Sequence, residues 1–316
     1  MVEARPVRRL HPDFGVEVMG LDLRHDLTVG TVELLSGLLR RDRVVVVRGQ
    51  RLGPSAQLRV GASLGPLHGT RPSRYGPWAV PEIRYETGDT TSAHAHYNEH
   101  WHADLSWVQH GRSVTLLHAI EAGAGCAPTA FADMIGAYRA LDESTRATVD
   151  RWQAYHHVAR SREVRYGPMP PAPRPWSGTG RARVRRTVIR RYRELRWSVP
   201  RFRARLTAAP VPPGALHPVV QTDAAGRRFV HAGDHAWSLA GLPEPEGLVL
   251  LDELNRLVVA AEHVYEHRWA PGDLVLFDNR SLLHRRLPAV GAAAPRLLRR
   301  CVVWHEGGAK AHSPHR

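Results

Sequence analysis

The stretch W-H-A-D-L-S-W at residues 101–107 and the later stretch F-D-N-R-S-L-L-H at residues 277–284 decide the predicted fold. His102 and Asp104 are two positions apart, so on an extended strand both side chains point the same way. A second histidine, His284, follows an apolar strand and the residues D-N-R, and we place it in the turn before the next strand. Two imidazoles and one carboxylate can occupy one face of an iron(II) ion and leave the other face open. We therefore predict that these three residues bind iron.

The H-x-D pattern is weak evidence by itself, because a chain with 20 histidines contains about one such match by chance. A second match, His11 and Asp13, is present, but the proline between them interrupts strand pairing. The alternative interpretation of His102 is a hydrogen-bonded histidine beside an aspartate. Its flanks favour the metal site, since Trp101 and Trp107 bracket the pair and predict a site walled by aromatic rings.

Two arginines follow the late histidine in the stretch P-R-L-L-R-R at residues 295–300. Arg296 and Arg300 are four positions apart, so on one strand they point to the same side. A guanidinium forks onto a carboxylate through two hydrogen bonds. A metal with open positions beside such a group is typical of an oxygenase that uses a 2-oxo acid.

Composition limits the class of protein. The chain has 316 residues, 43% of them apolar, which is enough to fill a core in one large domain or two small ones. It has no apolar run of about 18 residues and no apolar leader, so a membrane span is not predicted. Two cysteines, Cys126 and Cys301, are too few for a disulfide framework or a zinc cluster. We expect a cytoplasmic protein.

The net charge of +14 is concentrated in one segment. Between Arg160 and Arg205 fifteen arginines stand against two acids, so the rest of the chain is close to neutral. We interpret residues 158–213 as an Arg-rich, lid-like helical insertion in a single domain spanning residues 1–316. The insertion predicts a local surface that faces anions. The alternative interpretation is a solvated helix face without a ligand.

Periodicity and turn residues place the elements. We predict helices over residues 30–41 (capped by Thr28), 54–65, 134–141, 144–156 and 245–266. We predict strands at residues 43–49, 114–122, 217–222, 228–231, 271–279 and 296–304. Metal ligands on widely separated strands suit a mainly β fold with flanking helices and a double-stranded β-helix, or jelly-roll, core.

These motifs together resemble the taurine dioxygenase (TauD/TfdA) family of Fe(II)/2-oxoglutarate-dependent oxygenases over most of the chain. The matching stretches are residues 14–23, 41–50, 64–68, 97–107, 127–134, 217–222, 269–284 and 295–300. The Arg-rich insertion is the poorest match.

The resemblance implies a cofactor set of Fe(II), 2-oxoglutarate and O2. His102, Asp104 and His284 occupy the family's iron-ligand positions. Thr129 and Arg296 match the positions that bind the far carboxylate of 2-oxoglutarate. The reaction implied is oxidation of an aliphatic C–H bond with release of succinate and CO2. Because Asp104 is present, we predict hydroxylation or another oxidation rather than halogenation.

The resemblance also implies a substrate-binding set. Asn98 and Arg300 match positions that contact the anionic end of the substrate, and we expect Trp107 to line the pocket. Thr70 stands where taurine dioxygenase has a histidine, which argues against taurine. We expect a small, anionic substrate, free or bound to a carrier protein, and a chain able to form a homo-oligomer.

Two alternative interpretations of the sequence remain beside this enzyme. One is a nucleic-acid-binding protein or nucleic-acid demethylase that uses the Arg-rich insertion, but the neutral remainder of the chain and the lack of a recognition motif disfavour it. The other is a catalytically inactive relative, which the complete set of predicted ligands disfavours.

Overall fold

The computed structural model of the protein describes residues 5–68, 71–73, 76–80, 84–87, 98–108, 113–166, 214–289 and 294–304. The helices are α1 (Val29–Asp42), α2 (Pro54–Leu64), α3 (Met134–Ala140), α4 (Glu143–Val149), α5 (Val158–Tyr166) and α6 (Glu244–Val258). The strands before the insertion are β1 (Val7–Arg9), β2 (Val16–Val18), β3 (Val44–Val47), β4 (Arg71–Ser73), β5 (Gly76–Val80), β6 (Arg84–Thr87), β7 (Ser113–Ala122), β8 (Thr129–Asp133) and β9 (Gln153–His156). Those after it are β10 (Ala215–Pro218), β11 (Val220–Thr222), β12 (Arg228–Val230), β13 (Ala236–Leu239), β14 (Val264–His267), β15 (Leu274–Asp278), β16 (Leu282–Arg286) and β17 (Arg296–Trp304).

The larger sheet has seven strands in the order β1, β2, β3, β15, β7, β17 and β6. Its centre is apolar on both faces, which is why the runs V-V-V-V in β3 and L-V-L-F-D in β15 are fully buried. Leu276 of β15 pairs with Val45 on one side and with Leu116 on the other. Helices α1 and α2 pack on this sheet, with Leu35, Leu39 and other apolar side chains in one cluster with its strands.

The smaller sheet β14–β8–β16 lies opposite the larger one. A second apolar cluster lies between the two sheets, where Phe131 of β8 meets Phe277 of β15 with ring centroids 5.0 Å apart. Helices α3 and α6 cover the other face of the smaller sheet through a third cluster that includes Leu251 and Leu283. Two sheets enclosing one core confirm the predicted jelly roll with flanking helices.

Helix α1 forms as the sequence predicts. Thr28 caps it, accepting a hydrogen bond from Thr31 N at 3.2 Å. Its apolar stripe is buried, and the helix ends where Arg43 adopts a left-handed φ of 67°. The Arg43 guanidinium then pairs with Asp133, which caps α3 through Ile135 N.

Three element predictions were wrong in detail. The helix predicted over residues 245–266 ends at Val258, and Val264–His267 instead forms β14, paired with β8. The helix predicted over 144–156 ends at Val149, and Gln153–His156 forms β9 between β10 and β13. His284 lies within strand β16 rather than in a turn. In each case pairing with a distant strand overrides the local helical or turn pattern.

Of the predicted insertion, only residues 158–166 fall within the described part of the chain, and they form α5. Ion pairs join α5 to α6: Arg160 with Glu244 at 2.9 Å, and Arg165 with Asp252. The remainder of the insertion lies outside the described residues, so its lid-like role stays a prediction, as does the single domain. Among the described helices, none combines the length and the apolar character needed to cross a bilayer.

Candidate active site

His102 and His284 are held together by the backbone. The two residues form an antiparallel bridge, with His102 N donating to His284 O at 3.0 Å and His284 N donating to His102 O at 2.8 Å. Their imidazole centroids lie 4.3 Å apart. Asp104 follows two residues later, and one ligand atom from each of the three side chains lies within 4.8 Å of the others. The structure thus brings the three predicted metal ligands together.

The Asp104 carboxylate is fixed by several hydrogen bonds. Its Oδ2 accepts from Thr115 Oγ1 at 2.9 Å and from Arg300 Nη2 at 2.6 Å. Asn279 completes the arrangement, donating from Nδ2 to Thr115 Oγ1 at 2.8 Å and accepting from Asp104 N at 3.2 Å. Burial acts to raise the pKa of Asp104, but the Arg300 guanidinium and, after it, the two neighbouring histidines hold that pKa well below its usual range. The carboxylate is therefore ionised, as a metal ligand must be.

Both imidazoles are suited to coordination. His102 Nδ1 donates to His100 O at 2.8 Å, which leaves Nε2 as the ring nitrogen available to a metal. Burial, followed by the neighbouring His102, lowers the pKa of His284 to about 3, so this ring is neutral. His284 Nδ1 is buried without a hydrogen-bond partner among the described residues. Two imidazoles and one carboxylate are the donor set of non-haem iron(II) oxygenases, so the residues fit this metal.

The triad opens onto a small cavity between the two sheets. Four residues that the sequence places in the cosubstrate or substrate site line it: Asn98, Thr129, Arg296 and Arg300. Phe277, whose ring lies 4.7 Å from that of His284, is also in its wall.

Thr129 and Arg296 meet across the cavity. Arg296 lies at the start of β17 and donates from Nη2 to Thr129 Oγ1 at 3.3 Å. Trp269 Nε1 donates to the same oxygen at 3.0 Å. The Arg296 guanidinium also lies over the Trp269 ring, 5.9 Å from its centroid. A buried cation and a hydroxyl group thus converge at one end of the cavity.

Several cavity residues were not predicted. Thr115, Leu117, Arg285 and Arg286 also line it. Arg286 is buried and pairs with Glu99 at 2.6 Å. The two arginines directly after His284 were the available signal. On β16 the second of them, Arg286, shares a face with His284. Thr115 and Asn279 left no comparable signal, since their roles depend on contacts between distant segments.

The substrate-binding roles predicted for Trp107 and Thr70 remain predictions. Trp107 is not among the described residues that line the cavity, and its ring packs edge-on against His235 with centroids 5.0 Å apart. Leu105, which directly follows Asp104, has a left-handed φ of 60°. Thr70 lies outside the described residues.

A buried histidine cluster, His156, His217, His231 and His235, lies behind the metal-ligand loop. The rings of His156 and His231 stack with centroids 4.8 Å apart. Ser106 joins the cluster to the loop: its carbonyl lies 2.9 Å from His217 Nε2 and its Oγ 2.8 Å from His235 Nδ1. Burial, followed by the nearby charge of His217, lowers the pKa of His231 to about 3. This cluster was not predicted from the sequence.

Comparisons with known proteins identify the family of this chain. Residues 6–302 match the family described as taurine catabolism dioxygenase TauD, TfdA family. The chain is 30% identical to the alpha-ketoglutarate-dependent 2,4-dichlorophenoxyacetate dioxygenase of Cupriavidus pinatubonensis, over 87% of this chain and 90% of the relative. It is 28% identical to the (S)-phenoxypropionate/alpha-ketoglutarate-dioxygenase of Sphingobium herbicidovorans, over 96% and 95%.

A solved structure shares the fold. The crystal structure of AAD-2 in complex with Mn(II) and N-oxalylglycine matches with a TM-score of 0.72 and 24% identity, over 98% of this chain and 100% of that chain. The family match covers nearly the whole chain, and the relatives are 2-oxoglutarate-dependent enzymes. The chain therefore belongs to the TauD/TfdA family and is a 2-oxoglutarate-dependent dioxygenase.

Proposed function

We propose that this enzyme uses Fe(II), 2-oxoglutarate and O2 to oxidise an aliphatic C–H bond of a small anionic substrate other than taurine. One observation carries the proposal. The ligand atoms of His102, Asp104 and His284 lie within 4.8 Å of one another, in a cavity that also contains the Thr129–Arg296 pair.

The triad would hold the iron. Bound there, iron supplies the chemistry in which 2-oxoglutarate and O2 give succinate and CO2 while the substrate is oxidised. The protein's own role is to keep the ligand side chains in the protonation states that bind a metal. Thr115 and Arg300 fix the ionised carboxylate of Asp104, and burial keeps His284 neutral. Low exposure of the triad, with His102 and Asp104 each 8% exposed, limits the access of bulk water.

Thr129 and Arg296 would bind the far carboxylate of 2-oxoglutarate. Arg296 is buried on β17 and provides a charged donor, and Thr129 on β8 provides a hydroxyl group beside it. Charge-assisted hydrogen bonds of this kind are about twice as strong as neutral ones. In this proposal the metal binds one end of the cosubstrate and Arg296 binds the other.

Arg300 and Asn98 would receive the anionic group of the substrate. Arg300 lies on the same face of β17 as Arg296 and touches Asp104, so an anion bound to it would lie close to the metal site. Both relatives named above act on carboxylates, by their names, which supports an acidic substrate. Arg286 adds a further cation to the cavity wall. Roles for Thr70 and Trp107 stay predictions, as do a carrier-bound substrate and self-association.

Arg300 would have to leave Asp104 in order to bind the anionic group of the substrate. This movement would exchange one ion pair for another.

An anaerobic titration tests the proposal. Fe(II) and 2-oxoglutarate added together should produce a weak visible charge-transfer band in the unmodified enzyme. The band should be lost in His102→Ala and Asp104→Ala and kept in His25→Ala, which alters an exposed histidine far along the chain from the triad. Succinate release across a panel of small carboxylic acids, sulfonic acids and sulfate esters would then identify the substrate. Absence of the band in the unmodified enzyme would contradict the proposal and favour an inactive relative.

A further inference from the structure

The hydroxyl group of Thr129 already has both of its acceptor positions occupied. Trp269 Nε1 donates to Thr129 Oγ1 at 3.0 Å, and Arg296 Nη2 donates to the same oxygen at 3.3 Å. A threonine hydroxyl group offers one O–H donor and two acceptor lone pairs. Thr129 can therefore make one more hydrogen bond only by donating its proton. Thr129 lines the cavity, so that proton is available to an acceptor there.

Trp269 is held rigidly in the position from which it donates. It precedes a tight turn in which Asp273 N donates to Ala270 O at 3.1 Å and Asp273 Oδ2 accepts from Ala270 N at 2.9 Å. The ring of His267 packs edge-on against the indole with centroids 4.5 Å apart. His267 Nε2 lies 3.1 Å from the same Asp273 oxygen. Because the ring is 7% exposed and fixed on both sides, the direction of its N–H is set before any ligand binds.

Trp269 contacts both members of the anion-binding pair. Its indole lies under the guanidinium of Arg296 in addition to donating to Thr129. Without the indole N–H, one lone pair of the Thr129 oxygen would become vacant. The hydroxyl group could then accept a hydrogen bond from a ligand and rotate its proton away from the cavity.

We propose that Trp269 is a positioning residue for the far carboxylate of 2-oxoglutarate. Its indole N–H commits the Thr129 hydroxyl group to donation, so that Thr129 and Arg296 present donors only to the cavity. Such a site accepts a carboxylate and disfavours a group that itself donates, such as an amide NH2. The inference rests on the proposed function, because it takes Thr129 and Arg296 as the residues that bind the cosubstrate.

A purely structural role for Trp269 makes a different prediction. The ring belongs to the apolar cluster between the sheets, so its truncation also removes packing. Packing loss would lower stability whatever residue stands at position 129. An effect transmitted through the hydroxyl group would instead disappear when that hydroxyl group is absent, which a double-mutant cycle measures.

The test is the affinity for 2-oxoglutarate, measured by calorimetry in the presence of Mn(II), which avoids turnover. We expect Trp269→Phe and Thr129→Val each to raise the dissociation constant about tenfold, the size of one hydrogen bond to a charged group. The double variant should bind no more weakly than Thr129→Val alone. The turnover number of Trp269→Phe at saturating 2-oxoglutarate should match that of the unmodified enzyme.

Trp237→Phe is the matched control. Trp237 Nε1 is buried without a hydrogen-bond partner among the described residues, and the residue does not line the described cavity. Its replacement should leave the dissociation constant unchanged. Should Trp269→Phe fail to fold, incorporation of benzothienylalanine at position 269 keeps the shape of the ring, removes only the N–H and should give the same tenfold loss.

The outcomes separate the two claims. If the unmodified enzyme with Mn(II) does not bind 2-oxoglutarate, the proposed function fails. If it binds but removal of the indole N–H leaves the dissociation constant unchanged, only the role of Trp269 is overturned. Additive losses in the double variant would also overturn that role and assign Trp269 to packing.

Discussion

Thr115 Oγ1 donates a 2.9 Å hydrogen bond to Asp104 Oδ2, and this contact ties the metal-ligand loop to strand β7. Asn279 supports it by donating to Thr115 Oγ1, so the threonine proton is directed at the carboxylate. Asp104 is followed by Leu105, which has a left-handed backbone conformation. The contact with Thr115 explains how the Asp104 carboxylate nevertheless keeps one orientation. It joins three segments that are far apart in the sequence.

Replacing Thr115 with valine should weaken metal binding. Valine keeps the shape of threonine but removes the hydroxyl group, so Asp104 loses one of its two side-chain donors. Changes in such supporting contacts cost roughly tenfold or more in metal affinity. Titration with Mn(II), followed by electron paramagnetic resonance, measures the dissociation constant. Thr148→Val, at an exposed position on α4, is the control, and equal affinities in the two variants would refute this role of Thr115.

Replacing Arg300 with glutamine should remove selectivity for an anionic substrate. The unmodified enzyme should prefer a carboxylic acid over the matching amide, because Arg300 provides a charged donor beside the metal site. In Arg300→Gln this preference should fall by about tenfold or more, the size of a charge-assisted hydrogen bond. Succinate release with an acid and amide pair from the panel provides the measurement. Undiminished selectivity would show that another residue, such as Arg286, binds the anion.

The buried histidine cluster should make the protein sensitive to acid. Burial lowers the pKa of His231 to about 3 and that of His156 well below its ordinary value of 6.5. In the unfolded chain both rings regain their ordinary pKa and bind protons first. The free energy of unfolding is therefore at its full value above about pH 6.5. It falls as the pH drops from there toward the folded pKa.

Urea unfolding between pH 7.5 and pH 5 measures this effect. The free energy of unfolding of the unmodified protein should fall with pH, with each buried ring contributing up to about 1.4 kcal/mol per pH unit. His231→Leu should have a shallower dependence by up to that amount, whereas the exposed His25→Leu should not. Parallel curves for the unmodified protein and His231→Leu would exclude the cluster as the cause.

The fold was predictable where local chemistry and tertiary structure agree. Helix α1 has a cap at Thr28 and one apolar stripe, and strand β3 is a run of four valines, so each pattern matches its final environment. The meeting of His102, Asp104 and His284 was predictable because two short motifs carry the right donors.

The remainder depends on contacts that the sequence does not encode locally. Strand β14 was assigned to a helix because its residues continue an apolar pattern, and only pairing with β8 makes it a strand. Trp107 packs against His235, a contact that nothing in the neighbouring sequence reveals. Trp269 was not predicted to touch Thr129, because 140 positions separate the two residues.

The buried ion pair between Arg43 and Asp133 should be a major determinant of stability. Both side chains are 3% exposed, and Arg43 Nη2 lies 3.0 Å from Asp133 Oδ2. Arg43→Met would leave a buried carboxylate without its cation, which costs about 3–5 kcal/mol. Arg41→Met, at an exposed arginine, should cost less than about 1 kcal/mol. Urea unfolding of both variants decides this, and equal losses would contradict the assignment.

The most direct test of the account is a crystal grown without oxygen in the presence of Fe(II), with anomalous diffraction recorded at the iron edge. We predict one strong peak within bonding distance of His102, Asp104 and His284, with Arg300 turned away from the carboxylate oxygen that binds the metal. A peak bound elsewhere, or none at these three side chains, would contradict the central claim.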